Sequence, residues 1–152
     1  MLPVLEGYKL VFGIKTKNRY LIIAGILNLM TFFLHLIGGQ VDLVNPMMET
    51  SLSLEKSTQL VGAWHMVTII LLVTSGVLLS AGFGKKYSNN IEMLKSIGYL
   101  NLFFCLPFLI AGFYYGLLVP QWIFFLPIGA LTMMGLNKSE YLKGLKYAKE
   151  NS

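Results

Sequence analysis

The most restrictive feature of this sequence is an uncharged stretch of 42 residues, 96–137. As one α-helix rising about 1.5 Å per residue, it would be about 63 Å long, twice the roughly 30 Å of a bilayer's hydrocarbon core. In a membrane the stretch must therefore fold back on itself. Pro120 is the natural break, because proline ends a helix and Trp122 can anchor the next one at the interface. We expect helices at about 97–118 and 121–136.

Two further uncharged stretches, 20–41 and 57–84, precede it and predict spans at about 20–38 and 60–83. Only 12% of the 152 residues are charged and 55% are hydrophobic, whereas roughly a quarter of an ordinary soluble domain is charged. A soluble globule is excluded. The predicted fold class is an all-α membrane protein, a four-transmembrane-helix bundle in which residues 1–152 form a single integral membrane domain.

The basic residues predict the orientation of these spans. One side of the predicted membrane has only Lys56, in the loop after span one. The opposite side has eleven basic residues: Lys9, Lys15, Lys17, Arg19, Lys85, Lys86, Lys95, Lys138, Lys143, Lys146 and Lys149. Cytoplasmic flanks carry such an excess of Lys and Arg. We therefore expect a multi-pass protein of a cytoplasmic-type membrane, inner or plasma, with both termini in the cytoplasm.

Composition also excludes two classes of function. The net charge of +5 comes from residues distributed between the apolar stretches rather than gathered on one aromatic-rich face, so we expect no nucleic-acid binding. Cys105 is the single cysteine, which excludes chemistry that needs a cysteine pair. The N-terminal arm, residues 1–14, fits an interfacial helix on the inner leaflet or a disordered segment equally well.

Polar residues inside the spans fall into two groups with helical spacing. In span one, Asn28, Thr31 and His35 share one face, because they are three and four residues apart. Mostly small and polar residues also predict one face of span two: Gly62, His65, Thr68, Leu72, Ser75 and Gly76. Small residues let membrane helices approach closely, so we expect these two faces to pack against each other.

His35 and His65 lie at similar depths below the outer surface and are the candidate cofactor-binding residues. Two imidazoles from two helices can hold a haem axially, and imidazole is a common transition-metal ligand. Asp42 and Glu49 are then candidate further metal ligands, giving a set of His35, His65, Asp42 and Glu49. The alternative is that each histidine bonds a carbonyl or hydroxyl and packs spans one and two together.

The segment between these histidines, residues 39–58, predicts a short outer helix that covers the bundle as a lid. Asn45 followed by Pro46 is typical of a helix start. Beneath the lid we expect an outer cavity, and its predicted lining residues are Asn28, Thr31, Thr68 and Tyr115.

Three functions fit this sequence. The first is a non-catalytic membrane subunit or scaffold, which we favour because no catalytic set is complete and an enzyme is not expected. The second is a redox module holding haem or a metal through the two histidines. The third is a carrier of a neutral or lipid-like small molecule through the outer cavity. The expected partners are the lipid bilayer and another membrane protein or a second copy of this chain.

Overall fold

Helices make up all the regular secondary structure of the described residues. The computed structural model describes residues 17–84 and 87–150, the last thirteen by backbone alone, so the N-terminal arm at residues 1–14 lies outside the described part. The helices are α1 (Arg19–Phe33), α2 (Asn45–Met48), α3 (Leu54–Gly82), α4 (Ile91–Tyr115) and α5 (Trp122–Glu150). Two π-helical segments, Leu34–Gly38 and Gln40–Val44, join α1 to α2.

Capping side chains explain where three of the long helices begin. The Asn18 side chain accepts a hydrogen bond from the Leu21 N–H, that of Ser53 from Lys56, and that of Asn90 from Met93. These bonds satisfy amide groups that have no partner inside the helix.

The uncharged stretch at residues 96–137 does fold back on itself. Helix α4 ends at Tyr115, where Gly116 takes a left-handed conformation with φ 64°, and α5 begins at Trp122. Pro107 and Pro127 lie inside these helices without ending them. The prediction of an all-α chain whose last apolar stretch forms two helices is therefore confirmed.

Within the described part of the chain, three helical segments are long and apolar enough to cross a membrane: Arg19–Met48, Leu54–Gly82 and Ile91–Tyr115. The apolar part of α5, Trp122–Asn137, is shorter. Helix α3 begins before the predicted span, since the cap at Ser53 starts a turn that includes the charged Glu55 and Lys56.

The main packing contacts place the long helices in the order α3, α1, α5, α4, with α3 and α4 touching only slightly. We call the end where α1 and α4 begin the Arg19 end, and the opposite end the His35 end. Asn18 joins three helices at the Arg19 end: its N–H donates to the carbonyl of Gly82, and its Nδ2 donates to that of Gly135, both at 2.8 Å.

Two apolar clusters, each with members from all four long helices, form the core. The Arg19-end cluster contains Leu21, Ala24, Leu78, Ala81, Leu94, Ile97, Ile128 and Leu136. The His35-end cluster contains Phe32, Leu71, Cys105 and Phe125.

Close approach of α1 and α3 depends on glycine. A Cβ atom on Gly25 would lie 2.9 Å from the backbone nitrogen of Leu79, and one on Gly82 would lie 2.7 Å from that of Ile22. Backbone atoms cannot rotate away from such contacts, so these two positions set the separation of the two helices.

Candidate functional site

His35 packs directly against Trp64 of α3. Its imidazole is stacked on the indole, with ring centroids 3.7 Å apart and planes 12° from parallel. Its Nε2 also lies 3.2 Å from the Trp64 carbonyl oxygen. A carbonyl can only accept a hydrogen bond, so Nε2 must carry the proton. His35 therefore ties the end of span one to α3 both by stacking and by a hydrogen bond.

The π-helical segment after Phe33 provides the room for this stack. The N–H of Gly39 bonds to the carbonyl of Leu34, five residues back, as in a π-helix. A Cβ atom on Gly39 would collide with the Trp64 ring. The indole thus packs against both His35 and the bare backbone of Gly39, and any larger residue at position 39 would displace it.

The same geometry limits how His35 can bind a metal or haem. With its proton on Nε2, a neutral imidazole has a free lone pair only on Nδ1. Ligation through Nε2 would require the hydrogen bond to Trp64 to break. Ligation through Nδ1 is chemically compatible with that bond.

The other predicted ligands are spread over the same end of the molecule. His65 is half-buried beside Trp64 in sequence, whereas Asp42 and Glu49 are exposed. Within residues 17–84 and 87–137, no three His, Cys, Asp or Glu side chains come together as a possible metal site. A two-histidine haem site is a different arrangement, and it stays a prediction.

The residues predicted to line an outer cavity have different environments. Asn28, Thr31 and Thr68 are buried in the helix packing, while Tyr115 is 70% exposed. Thr31 donates to the Leu27 carbonyl and Thr68 to that of Trp64, so both hydroxyls bond to their own helices.

An apolar groove of about 310 Å³ lies at the end of α4, and its lining includes none of those four side chains. It is formed by Phe108, Leu109, Gly112, Phe113, Leu117, Leu118, Val119 and Trp122. Such a surface suits a hydrocarbon chain better than a polar solute.

Residues 39–58 are helical in part. The short helix Asn45–Met48 begins where Asn45 and Pro46 predicted, but it is joined to α1 through the π-helical segments. Asn45 accepts a hydrogen bond from the Gln40 side chain at 2.8 Å rather than capping the helix. Its role as a lid stays a prediction.

The predicted polar face of span two is divided between two sides of α3. Thr68 and Ser75 are buried, but Gly62 and Gly76 are exposed, and a methyl group added to either would meet nothing within 4 Å. Leu71, in the core, follows Gly62 by nine residues and so lies about 180° around the helix at 100° per residue. The expectation that all six residues face span one is wrong, because Gly62, Leu72 and Gly76 are exposed.

Sequence reasoning missed Trp64 as the partner of His35 and Thr74 as the partner of Asn28. Asn28 Nδ2 donates to Thr74 Oγ1 at 2.7 Å and to the Leu71 carbonyl at 3.3 Å. The pair Gly38-Gly39, one turn after His35, was the available signal for a bulky neighbour. Nothing in the spacing of α3 identified Thr74.

Compared with protein-family models, curated proteins and solved structures, the chain gives no match.

Proposed function

We propose that this chain is a four-span protein of a cytoplasmic-type membrane, with both termini in the cytoplasm, that acts as a non-catalytic subunit. Its partner is a membrane helix of another chain that packs on the outward side of α3. The basic flanks support the orientation, and the apolar helices support the membrane location. The single observation that carries the proposal is an exposed row of residues along α3.

The outward side of α3 has the spacing of a helix-packing seam. Its exposed residues Gly62, Met66, Ile69, Val73 and Gly76 follow one another at intervals of four, three, four and three. This 3.5-residue repeat is the one that keeps two supercoiled helices in contact. Met66, Ile69 and Val73 are 65%, 62% and 57% exposed, so the seam is free over its whole length. We call these five residues the α3 seam.

The two glycines of the α3 seam distinguish it from an ordinary lipid-facing surface. Glycine inside a helix costs about 1 kcal/mol relative to alanine. At Gly25 and Gly82 close packing within the bundle explains the residue, whereas Gly62 and Gly76 have open space around them. Small residues at such positions let a second membrane helix approach closely. Contact with lipid does not explain these two glycines, whereas contact with a partner helix does.

The slight contact between α3 and α4 adds to this support. Helix α3 packs chiefly on α1, so most of its circumference remains available for another chain. The alternative of a haem or metal module through His35 and His65 has less support, because ligation through His35 Nε2 would break its bond to Trp64 and only Nδ1 is left as a ligand atom. A visible spectrum of the purified protein, oxidised and then reduced, separates the two functions.

The test is the assembly state of the protein purified from its own membrane in mild detergent. Native mass spectrometry should find a stoichiometric second polypeptide, a further copy or a different chain. Gly76→Leu should remove that second chain, because the added side chain holds the helices apart. Ala130→Leu places the same side chain at an exposed site on α5 and should leave the complex intact. A wild-type monomer, or a complex that survives Gly76→Leu, would refute the proposal.

A further inference from the structure

A buried polar layer separates the two apolar clusters. On α1, Asn28 lies four residues from both Ala24 and Phe32, which belong to different clusters. On α4, Asn101 lies four residues from both Ile97 and Cys105, again one in each cluster. We call Asn28, Thr74, Ser75 and Asn101 the mid-bundle polar layer; all four are buried.

The layer lies within the predicted membrane. Asn28 is eight residues, about 12 Å, past the start of the predicted span at residue 20, and Asn101 is four residues, about 6 Å, past the start of the span at residue 97. Both therefore lie inside the hydrocarbon core of about 30 Å, between its edge and its centre. The polar atoms at this depth depend on partners inside the protein.

The hydrogen bonds of the layer leave too few donors for its acceptors. The amide of Asn28 donates to Thr74 Oγ1 and to the Leu71 carbonyl, and Ser75 Oγ donates to that same carbonyl at 2.6 Å. Asn101 Nδ2 donates to the Ile97 carbonyl of its own helix. Among the described residues, none donates to Asn28 Oδ1 or to Asn101 Oδ1.

Two buried acceptors without hydrogen bonds lower the stability of the fold. A buried polar atom without its hydrogen bond costs about 1–3 kcal/mol. Buried water is the usual partner of such atoms in folded proteins, typically with two to four polar neighbours per molecule. Asn28 Nδ2, Thr74 Oγ1 and Ser75 Oγ all lie within hydrogen-bonding distance of the Leu71 carbonyl, so the Asn28 amide lies in polar surroundings.

The chemistry of the layer selects the occupant. Both unpaired atoms are acceptors, so the occupant must donate hydrogen bonds. No charged side chain belongs to the layer, so a cation there would meet only neutral oxygens in a region of low dielectric. Asn28, Ser75 and Asn101 are each at most 2% exposed, so an occupant must be small enough to be enclosed with them.

We propose that the mid-bundle polar layer is an internal binding site for water, in which one water molecule donates a hydrogen bond to Asn28 Oδ1 and another donates to Asn101 Oδ1. The two apolar clusters close the site towards the Arg19 end and the His35 end. This inference goes beyond the proposed subunit function and does not depend on it.

Asn101→Leu tests the site, because leucine has nearly the shape of asparagine and Asn101 makes no hydrogen bond to another helix among the described residues. If no water is bound, the Asn101 amide lacks a hydrogen bond to its oxygen, and replacing it by an apolar group of the same shape should be neutral or stabilising. If water is bound, the variant loses one hydrogen bond to it. Its unfolding equilibrium constant should therefore be roughly tenfold higher than that of the wild type. Thr132→Val is the control, because Thr132 is buried and bonds only to Ile128 of its own helix.

Water-edited solid-state NMR of the wild type in bilayers provides a second readout that does not depend on a variant's folding. Magnetisation from water should reach the side chains of Asn28 and Asn101 much faster than the methyl group of Thr132. Both results are required. Transfer no faster than to Thr132, or an Asn101→Leu protein as stable as wild type, would overturn the proposal.

Discussion

The glycine contact between α1 and α3 makes a quantitative prediction for Gly25→Ala. The new methyl carbon would lie 2.8 Å from Leu79 Cγ and 2.9 Å from Leu79 N. Ordinary carbon contacts are about 3.5–4.0 Å, so the two helices must separate by about 1 Å. The Leu79 backbone cannot yield, and therefore the whole helix contact must open.

The separation also weakens the hydrogen bonds one turn away. Asn28 Nδ2 lies 2.7 Å from Thr74 Oγ1 and 3.3 Å from the Leu71 carbonyl. Lengthening each of these two distances by about 1 Å takes both contacts beyond hydrogen-bonding range. Overpacking costs about 1–3 kcal/mol and an interhelical membrane hydrogen bond is worth about 0.6–2 kcal/mol. Better helix propensity returns at most about 1 kcal/mol. We expect Gly25→Ala to lose about 1–4 kcal/mol in net stability.

The measurement is equilibrium unfolding by SDS titration of monomeric protein in mixed micelles. Gly76→Ala is the matched control, because the same change on the open side of α3 meets nothing within 4 Å. It should be neutral or up to about 1 kcal/mol more stable. If Gly25→Ala is as stable as Gly76→Ala, the close approach of α1 and α3 does not constrain residue 25.

Three further predictions concern the packing and the topology. Gly39→Ala should displace the indole that packs over it, giving a red-shifted fluorescence maximum in a Trp122→Phe background; an unchanged spectrum would refute the stack. Asn28→Leu should lower the free energy of unfolding by about 1–2 kcal/mol, whereas Thr31→Val, which removes a bond within α1 only, should have a smaller effect on the same SDS titration. Glu49→Cys should react with an impermeant maleimide added outside intact cells, and labelling only after lysis would reverse the predicted orientation.

Charge and apolar length predicted the helices well, because they depend on local properties. A stretch such as residues 96–137 cannot cross a bilayer once, and a proline near its middle marks the turn. Asn28 and Thr68 were recognised as face-forming residues from their spacing, and both are buried.

It was harder to predict which side of each helix packs against another helix, since this depends on contacts between segments that are distant in sequence. Gly25 and Gly76 are the same residue type in similar apolar surroundings, yet one contacts Leu79 and the other is open. The π-helical segments after Phe33 change which residues share a face, and no 3.6-residue pattern anticipates them. His35, which stacks on Trp64, lies in the first of these segments.

The packing order of the helices divides the molecule into two hairpins. Helices α1 and α3 contact each other closely, as do α4 and α5, and the hairpins meet mainly where α1 packs on α5. Each hairpin carries its own internal contacts, so we expect the first to be able to insert during synthesis before the second. Two separately translated halves, divided between α3 and α4, would be able to reassemble into the whole molecule, with Asn18 and Gly135 marking the contact that joins them.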